Sequence, residues 1–318
     1  MSDRTSGITR LAPSPTGALH LGNARTFVLN YLLAKQRGWR VLMRIEDLDG
    51  PRVKAGADLA LLDELAWLGL TWEEPVVYQS QRGGVYRQAL EQLVSAGAAY
   101  PCTCSRKDAL LAAGAPHAED ATGVYGGNCR GRYSSWAQAL ATGKPVCWRL
   151  RVDEAPVAFD DAFASRQSVD LAQSCGDFVI FKNDGLAAYQ LAVVLDDAQG
   201  GVDCIVRGDD LLESAGRQIH LRRLLGLGPE PTYWHLPLVV GPDGRRLAKR
   251  HGDTRLAHYR KRGCAAGRIL GLIGYWSGML ATRREATLDE LLEHFDIHRV
   301  NRQQVVMSPD DERFLLGV

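Results

Sequence analysis

The chain has 318 residues, 46% of them hydrophobic, and its 38 basic and 37 acidic residues leave a net charge of +1. That balance excludes a global cationic field, so any nucleic-acid partner must be held by local patches. No apolar stretch reaches the ~20 residues of a membrane span, and the opening MSDRTSGITR lacks the apolar core of a secretory signal. The seven cysteines then read as thiols or metal ligands rather than a disulfide framework, and the chain is expected in the cytoplasm, off the membrane.

Ile8–Leu11 is strand-like and stops at Ala12-Pro-Ser-Pro-Thr-Gly17, where two prolines and a glycine forbid a regular element. Residues 20–37 carry apolar side chains near a 3.6-residue period and predict a helix ended by Gly38. Residues 39–45 alternate as a strand. Helices follow over 58–68 and 86–96, stopped by Gly69 and Gly97. Strand, helix, strand, helix argues for a parallel sheet with crossover helices. Residues 100–150 break this rhythm with cysteines, glycines and few apolar runs, which reads as a small metal-stapled insertion. The α/β pattern returns with a strand at Phe178–Phe181. Residues 186–195 then form a buried strand or helix, 204–206 a strand, 211–225 a helix and 235–240 a strand. A mostly helical stretch covers 265–318.

Three segments carry chemistry. In Arg10-Leu11-Ala12-Pro13-Ser14-Pro-Thr-Gly-Ala-Leu-His20-Leu-Gly22-Asn23 a strand runs through small residues into a helix N-terminus, where backbone N–H groups and the helix dipole suit an anion. His20 and Asn23, three apart, can face one phosphate. The segment is neither a Walker A loop nor G-x-G-x-x-G. Arg44-Ile-Glu46-Asp47-Leu-Asp49 places carboxylates at the C-terminal end of a strand, where open α/β sheets bind ligands. Glu46 is the one expected to hold a ligand ammonium, while Asp47 and Asp49 are as readily caps or surface charges. Residues 245–262 hold eight Lys/Arg (Arg246, Lys249 and Arg250 among them) against one acid, Asp253. A glycine-flanked cationic loop suits the charge that builds on a transferring phosphate. Only seven of the 38 basic residues are lysines; arginine's fork suits phosphate oxygens, but the bias is equally one of genomic base composition.

Together these segments resemble the catalytic core of the class I glutamyl-tRNA synthetases. His20-Leu-Gly22-Asn23 is similar to that family's HIGH motif, and Arg246-Leu-Ala-Lys249-Arg250 looks like its KMSKS loop. The resemblance, running from about 8 to 260, implies an α/β fold with a Rossmann-type parallel sheet. It implies that Arg10, Leu11, Ala12, Pro13, Ser14, Glu46, Tyr189 and Arg207 contact L-glutamate, and that His20, Gly22, Asn23 and Lys249 contact ATP with its Mg²⁺. His20, Asn23 and Lys249 would be the catalytic residues. Tyr189 taken alone reads equally as a core tyrosine. Two positions depart from the family: Ala248 where serine is usual, and Asn23 where histidine is usual.

The stretch after the basic loop is too short for the family's helical anticodon-binding domain. The resemblance therefore narrows to its truncated paralogues, the glutamyl-queuosine tRNA(Asp) synthetases. It implies ATP-dependent, tRNA-independent activation of glutamate, then transfer to queuosine in the tRNA(Asp) anticodon stem-loop. Charging of a tRNA 3′ end is the alternative. Cys102-x-Cys104 with Tyr125-x-x-x-Cys129 is similar to that group's structural Zn²⁺ site; His117 is the chemical competitor of Tyr125 for the fourth ligand. The remaining cysteines, Cys147, Cys175, Cys204 and Cys264, read as scattered apolar residues. The expected organisation is a first catalytic half over 1–100, a zinc-bearing insertion over 101–150, a second catalytic half over 151–260 and a short helical segment over 261–318, in a monomer.

Overall fold

The computed structural model describes residues 7–105, 108, 124–152, 155–245, 247 and 253–318. Twelve strands occur among them: β1 (Ile8–Leu11), β2 (Arg40–Ile45), β3 (Glu73–Tyr78), β4 (Ala99–Cys102), β5 (Cys147–Leu150), β6 (Val157–Asp161), β7 (Ser165–Val169), β8 (Phe178–Phe181), β9 (Cys204–Gly208), β10 (Thr232–Leu236), β11 (Val239–Val240) and β12 (Val305–Val306). β1, β2 and β3 pair in parallel, with Arg10 opposite Leu42 and Ile45 opposite Tyr78. A second sheet runs β7-β6-β10-β9, parallel except for the β6–β7 hairpin.

The approach to β9 is stitched to the free edge of β1. The Asp203 N–H donates to the Ile8 carbonyl (3.1 Å), and the Ile8 N–H donates to Asp203 Oδ1 (2.8 Å). The two sheets thus meet along β1 and β9, and the C-terminal ends of both strands open on one side, where crossover folds leave a crevice. The helix Leu21–Gln36 connects β1 to β2. It buries Leu21, Val28, Leu29, Leu32 and Leu33 in a core shared with Ile269, Leu272 and Ile273 of the C-terminal helix Ala266–Trp276. Helices Gly83–Ser95, Tyr189–Gln199 and Leu212–Leu224 contribute to a second core.

The insertion is built on an antiparallel sheet, β4-β5-β8. Several elements differ from the sequence reading. Of the ambiguous run over 186–195, residues 189–195 belong to the helix Tyr189–Gln199, while Ala187 bridges to Phe181 ahead of it. The single strand expected over 235–240 is two, because Pro237 has no N–H for a ladder; β11 then pairs with β12, a strand inside the C-terminal stretch. Strand β3 and the β6–β7 hairpin were not foreseen. Both are short and half-exposed, with the β7 pattern Ser-Arg-Gln-Ser-Val giving little apolar alternation. Among the described residues no helix is long and apolar enough to cross a membrane.

Candidate active site

β1 ends by driving Leu11 into the core, so the chain leaves the sheet at Ala12. The turn is tied back by Pro13, whose carbonyl accepts the Glu46 N–H at 3.0 Å. This one bond sets the first and second sequence motifs side by side. His20 is extended (φ −109°, ψ 165°) and caps the helix Leu21–Gln36, its Nδ1 accepting the Asn23 N–H at 3.3 Å. With Nδ1 an acceptor, the neutral ring carries its hydrogen on Nε2, which is therefore a donor. Gly22 leaves room for this ring: a Cβ there would crowd His20 Nδ1 and Cε1 at 3.2 Å. The Leu21 N–H donates to the Thr254 carbonyl (3.0 Å) and the Leu256 N–H to the Leu19 carbonyl (2.8 Å). The far end of the basic loop is thereby fastened to the start of this helix. Lys249, with Arg246, Ala248 and Arg250, lies outside the described residues, as does His117.

A cavity of about 250 Å³ opens where these segments converge with β9 and the helix Tyr189–Gln199. Arg10, Ala12, His20, Gly22, Asn23, Glu46, Tyr189 and Arg207 all line it, with Asp210 and Leu238 at its rim. Three arginines are buried around it. Arg10 Nε donates to Asp197 Oδ1 (3.2 Å), Arg44 Nη1 donates to the same carboxylate, and Arg44 Nη2 reaches Glu46 Oε1 at 3.0 Å. Burial would raise the Asp197 carboxyl, but Arg44 and Arg10 overcome it and hold the group below the usual carboxylate range. Glu46 goes the other way: burial pushes it up more than Arg44 pulls it down. A ligand ammonium beside Glu46 would restore the charge that burial opposes.

Arg207 is differently placed. It donates from Nε to His235 Nε2 (2.9 Å), from Nη1 to Gln218 Oε1 (2.8 Å) and from Nη2 to the Leu211 carbonyl (3.2 Å). All three acceptors are neutral. A buried cation without a directly bonded carboxylate is a receptor for an anionic group. His235 Nδ1 in turn lies 2.6 Å from Asp161 Oδ2, and both side chains are fully buried.

Not every predicted residue presents its side chain to the cavity. Leu11 is in the core, Pro13 acts through its carbonyl, and Ser14 is exposed with its hydroxyl 3.1 Å from that of Thr16. Asp47 holds the Ser80 N–H (2.8 Å) and hydroxyl (2.5 Å), and Asp49 pairs with Arg52 on the surface, so both are structural. The sequence reading missed Asp161, Asp196, Asp197, Gln218 and His235. Asp196 accepts from Gln79, Arg82 and Tyr86, fastening the floor of the site to the helix Gly83–Ser95. The adjacent pair Asp196-Asp197 at the end of an apolar helical run was the one signal available.

The insertion gathers a second cluster. The sulfurs of Cys102, Cys104 and Cys129 all lie within 4.8 Å of one another. The Tyr125 hydroxyl is 3.3 Å from Cys102 Sγ and 3.5 Å from Cys104 Sγ, and accepts the Cys129 N–H at 3.1 Å. Three thiols and a phenol on one centre form a donor set that could hold a tetrahedral metal such as Zn²⁺. Gly176 permits the approach of Tyr125: a Cβ there would sit 2.2 Å from the Tyr125 carbonyl oxygen. Cys147 is not scattered, as the sequence reading had it. It faces Cys102 across the β4–β5 ladder, and its thiol, with Tyr125 and Arg149, holds Cys102 down to about 4 against burial. Arg149 Nε reaches Cys102 Sγ at 3.3 Å and its guanidinium lies 3.8 Å from the Tyr125 ring centre.

The family model described as tRNA synthetases class I (E and Q), catalytic domain, matches residues 8–308. The chain is 43% identical to the glutamyl-Q tRNA(Asp) synthetase of Rhodopirellula baltica, over 96% of this chain and 97% of that one. It is 42% identical to the protein of that name from Symbiobacterium thermophilum, covering 97% and 98%. Among solved structures, a glutamate tRNA ligase from Elizabethkingia meningosepticum in complex with its amino acid superposes with a TM-score of 0.81 at 25% identity, over 97% of this chain and 68% of that one. The parallel sheet opening on a cavity between β1 and β9 thus occurs in a known setting, and the chain belongs to the class I (E and Q) tRNA synthetases, ATP-dependent ligases.

Proposed function

We propose that this chain joins glutamate to ATP, forming glutamyl-adenylate without tRNA, and transfers the glutamyl group to queuosine in the anticodon loop of tRNA(Asp). The observation that carries the reading is the cavity. It offers a carboxylate, Glu46, for the ammonium and a buried cation with only neutral acceptors, Arg207, for the side-chain carboxylate. The α-carboxylate then faces the helix N-terminus. Identity of 42–43% over nearly full length to proteins named for this activity supports the same assignment.

In the first step a glutamate α-carboxylate oxygen bonds to the α-phosphorus of ATP and the bond to the pyrophosphate oxygen breaks. No protein nucleophile is needed. Arg10, Glu46, Tyr189 and Arg207 position the amino acid; the backbone of 11–14 shapes the pocket; Gly22 gives ATP room. His20 Nε2–H, Asn23 and Lys249 meet the charge that builds on the phosphates. Mg²⁺ bound with ATP would neutralise phosphate charge. In the second step a queuosine ring hydroxyl attacks the glutamyl carbonyl, an ester forms, and AMP leaves as the hydroxyl proton is given up. Cys102, Cys104, Cys129 and Tyr125 would hold a structural Zn²⁺ that fixes the insertion over 101–150 between the catalytic halves 1–100 and 151–260, with 261–318 as a helical buttress. The enzyme works as a cytoplasmic monomer in this reading.

The test is incubation with labelled glutamate, ATP and either queuosine-containing or queuosine-free tRNA(Asp). Label appears only on the former. Label on the 3′ end of tRNA(Glu) instead would establish a glutamyl-tRNA synthetase and overturn the proposal.

A further inference from the structure

A buried polar chain runs behind the glutamate pocket and meets it at Arg207. It begins at Asp161, at the end of β6. Oδ1 of Asp161 accepts the N–H groups of Phe163 (2.9 Å) and Ala164 (2.6 Å), closing the β6–β7 turn, while Oδ2 faces His235 Nδ1 at 2.6 Å. His235, on β10, passes the contact through its ring to Arg207 Nε on β9 (2.9 Å). Beyond Arg207 the chain continues through Gln218 to Gln190 (2.9 Å) and Ser214 (3.1 Å). Two details fix its polarity. Arg207 can only donate, so His235 Nε2 accepts and its proton is on Nδ1; a carboxylate at Asp161 can only accept, which selects that same tautomer.

We infer that Asp161 and His235 are positioning residues for amino-acid selection. They lock the plane of the Arg207 guanidinium so that its remaining N–H groups meet a side-chain carboxylate, and not a neutral amide, in a two-point grip. This deepens the function proposed above and rests on it. An arginine fork discriminates only when its plane is fixed, since a guanidinium free to rotate keeps the charge but loses the paired geometry. Among the described residues no carboxylate bonds Arg207 directly, so the fixing comes from neutral acceptors. Among those, only His235 has its own orientation set by a buried anion.

Asp161→Asn separates positioning from folding. The asparagine retains Oδ1 for the turn, but its amide donates to His235 Nδ1. It thereby drives the ring hydrogen to Nε2, where it opposes Arg207 Nε–H. Binding of L-glutamate to the full chain is followed by calorimetry, alongside glutamate-dependent ATP–pyrophosphate exchange and thermal melting. The expected result is a tenfold or greater weakening of glutamate binding and a matching rise in its KM. The KM for ATP stays unchanged, the variant still melts as a folded chain, and the preference for glutamate over glutamine falls. Wild-type glutamate affinity in a folded Asp161→Asn would overturn the inference. If that variant does not fold, His235→Gln and His235→Leu decide. The glutamine can accept from Arg207 and donate to Asp161, so its affinity should stay within about threefold of wild type. The leucine should lose tenfold. Equal affinities in the two overturn the inference. A wild-type chain that binds glutamate but supports no exchange refutes the adenylation reading and leaves the positioning role standing on the binding ratio. One that binds no glutamate refutes both.

Discussion

Asp197 is the most exposed point of the proposed site to attack by mutation, because it is the shared counter-ion of Arg10 and Arg44 and is itself buried. Consider Asp197→Asn, which keeps the shape and removes the charge. At the 3.2 Å separation of Arg10 Nε and Asp197 Oδ1, one unit pair in a protein of effective dielectric ~20 gains about 5 kcal/mol. Desolvation offsets much of that, and removing one member of a buried pair typically costs about 3–5 kcal/mol. The asparagine oxygen can still accept one hydrogen bond, so the lower end applies. That is a melting temperature lower by about 4–5 °C in a chain of this size. The sign with pH follows from the direction of the shift. Arg44 and Arg10 hold the folded-state carboxyl below its unfolded value, despite burial. The stabilisation is therefore complete above the unfolded value of about 3.9 and is lost as pH falls through the lower folded value. Paired melts of wild type and Asp197→Asn should differ by a constant amount from pH 7 to about 5, and converge below about pH 4. The glutamate KM should rise about tenfold in exchange assays, as Arg10 loses its anchor. Equal melting temperatures at neutral pH, or a gap that stays constant into acid, would refute the account of Asp197 as a buried counter-ion.

Other substitutions probe the remaining parts. Gly22→Ala puts a methyl 3.2 Å from His20 Nδ1 and should turn the ring off its cap, cutting kcat of exchange about tenfold with little change in glutamate KM; an unchanged kcat would count against His20. Lys249→Ala should slow adenylate formation by about 100-fold, read by pyrophosphate exchange, and a near-normal rate would remove Lys249 from the mechanism. Cys102→Ser should lower bound zinc from one equivalent toward zero by elemental analysis and destabilise the insertion. Tyr125→Phe should retain zinc but release it faster to a chelator, and unaltered release would strike Tyr125 from the ligand set.

What the sequence made legible is what lies close together along the chain. The turn after β1, the cap at His20 and the helix to Gln36 are one continuous stretch, and their glycines and prolines act on their immediate neighbours. The Cys102, Cys104, Tyr125 and Cys129 spacing is likewise local. Asp197 and His235 were illegible for the opposite reason. Asp197 meets Arg10 across 187 positions, and His235 meets Asp161 across 74. Nothing in an apolar run ending Asp-Asp, or in Tyr-Trp-His-Leu-Pro, states which partner the fold will supply. The same holds for Cys147, which reads as a lone thiol until β5 pairs with β4 and sets it opposite Cys102. The division is also one of chemical role. Groups that would touch a ligand cluster near helix starts and strand ends, because backbone geometry exposes them there. Groups that hold those in place come from whichever strand the topology brings alongside. β10 lies between β6 and β9 in the sheet although β6 is remote from both in the chain, and the line Asp161–His235–Arg207 crosses all three. The selectivity proposed for an acidic side chain would therefore be a property of strand order as much as of any motif.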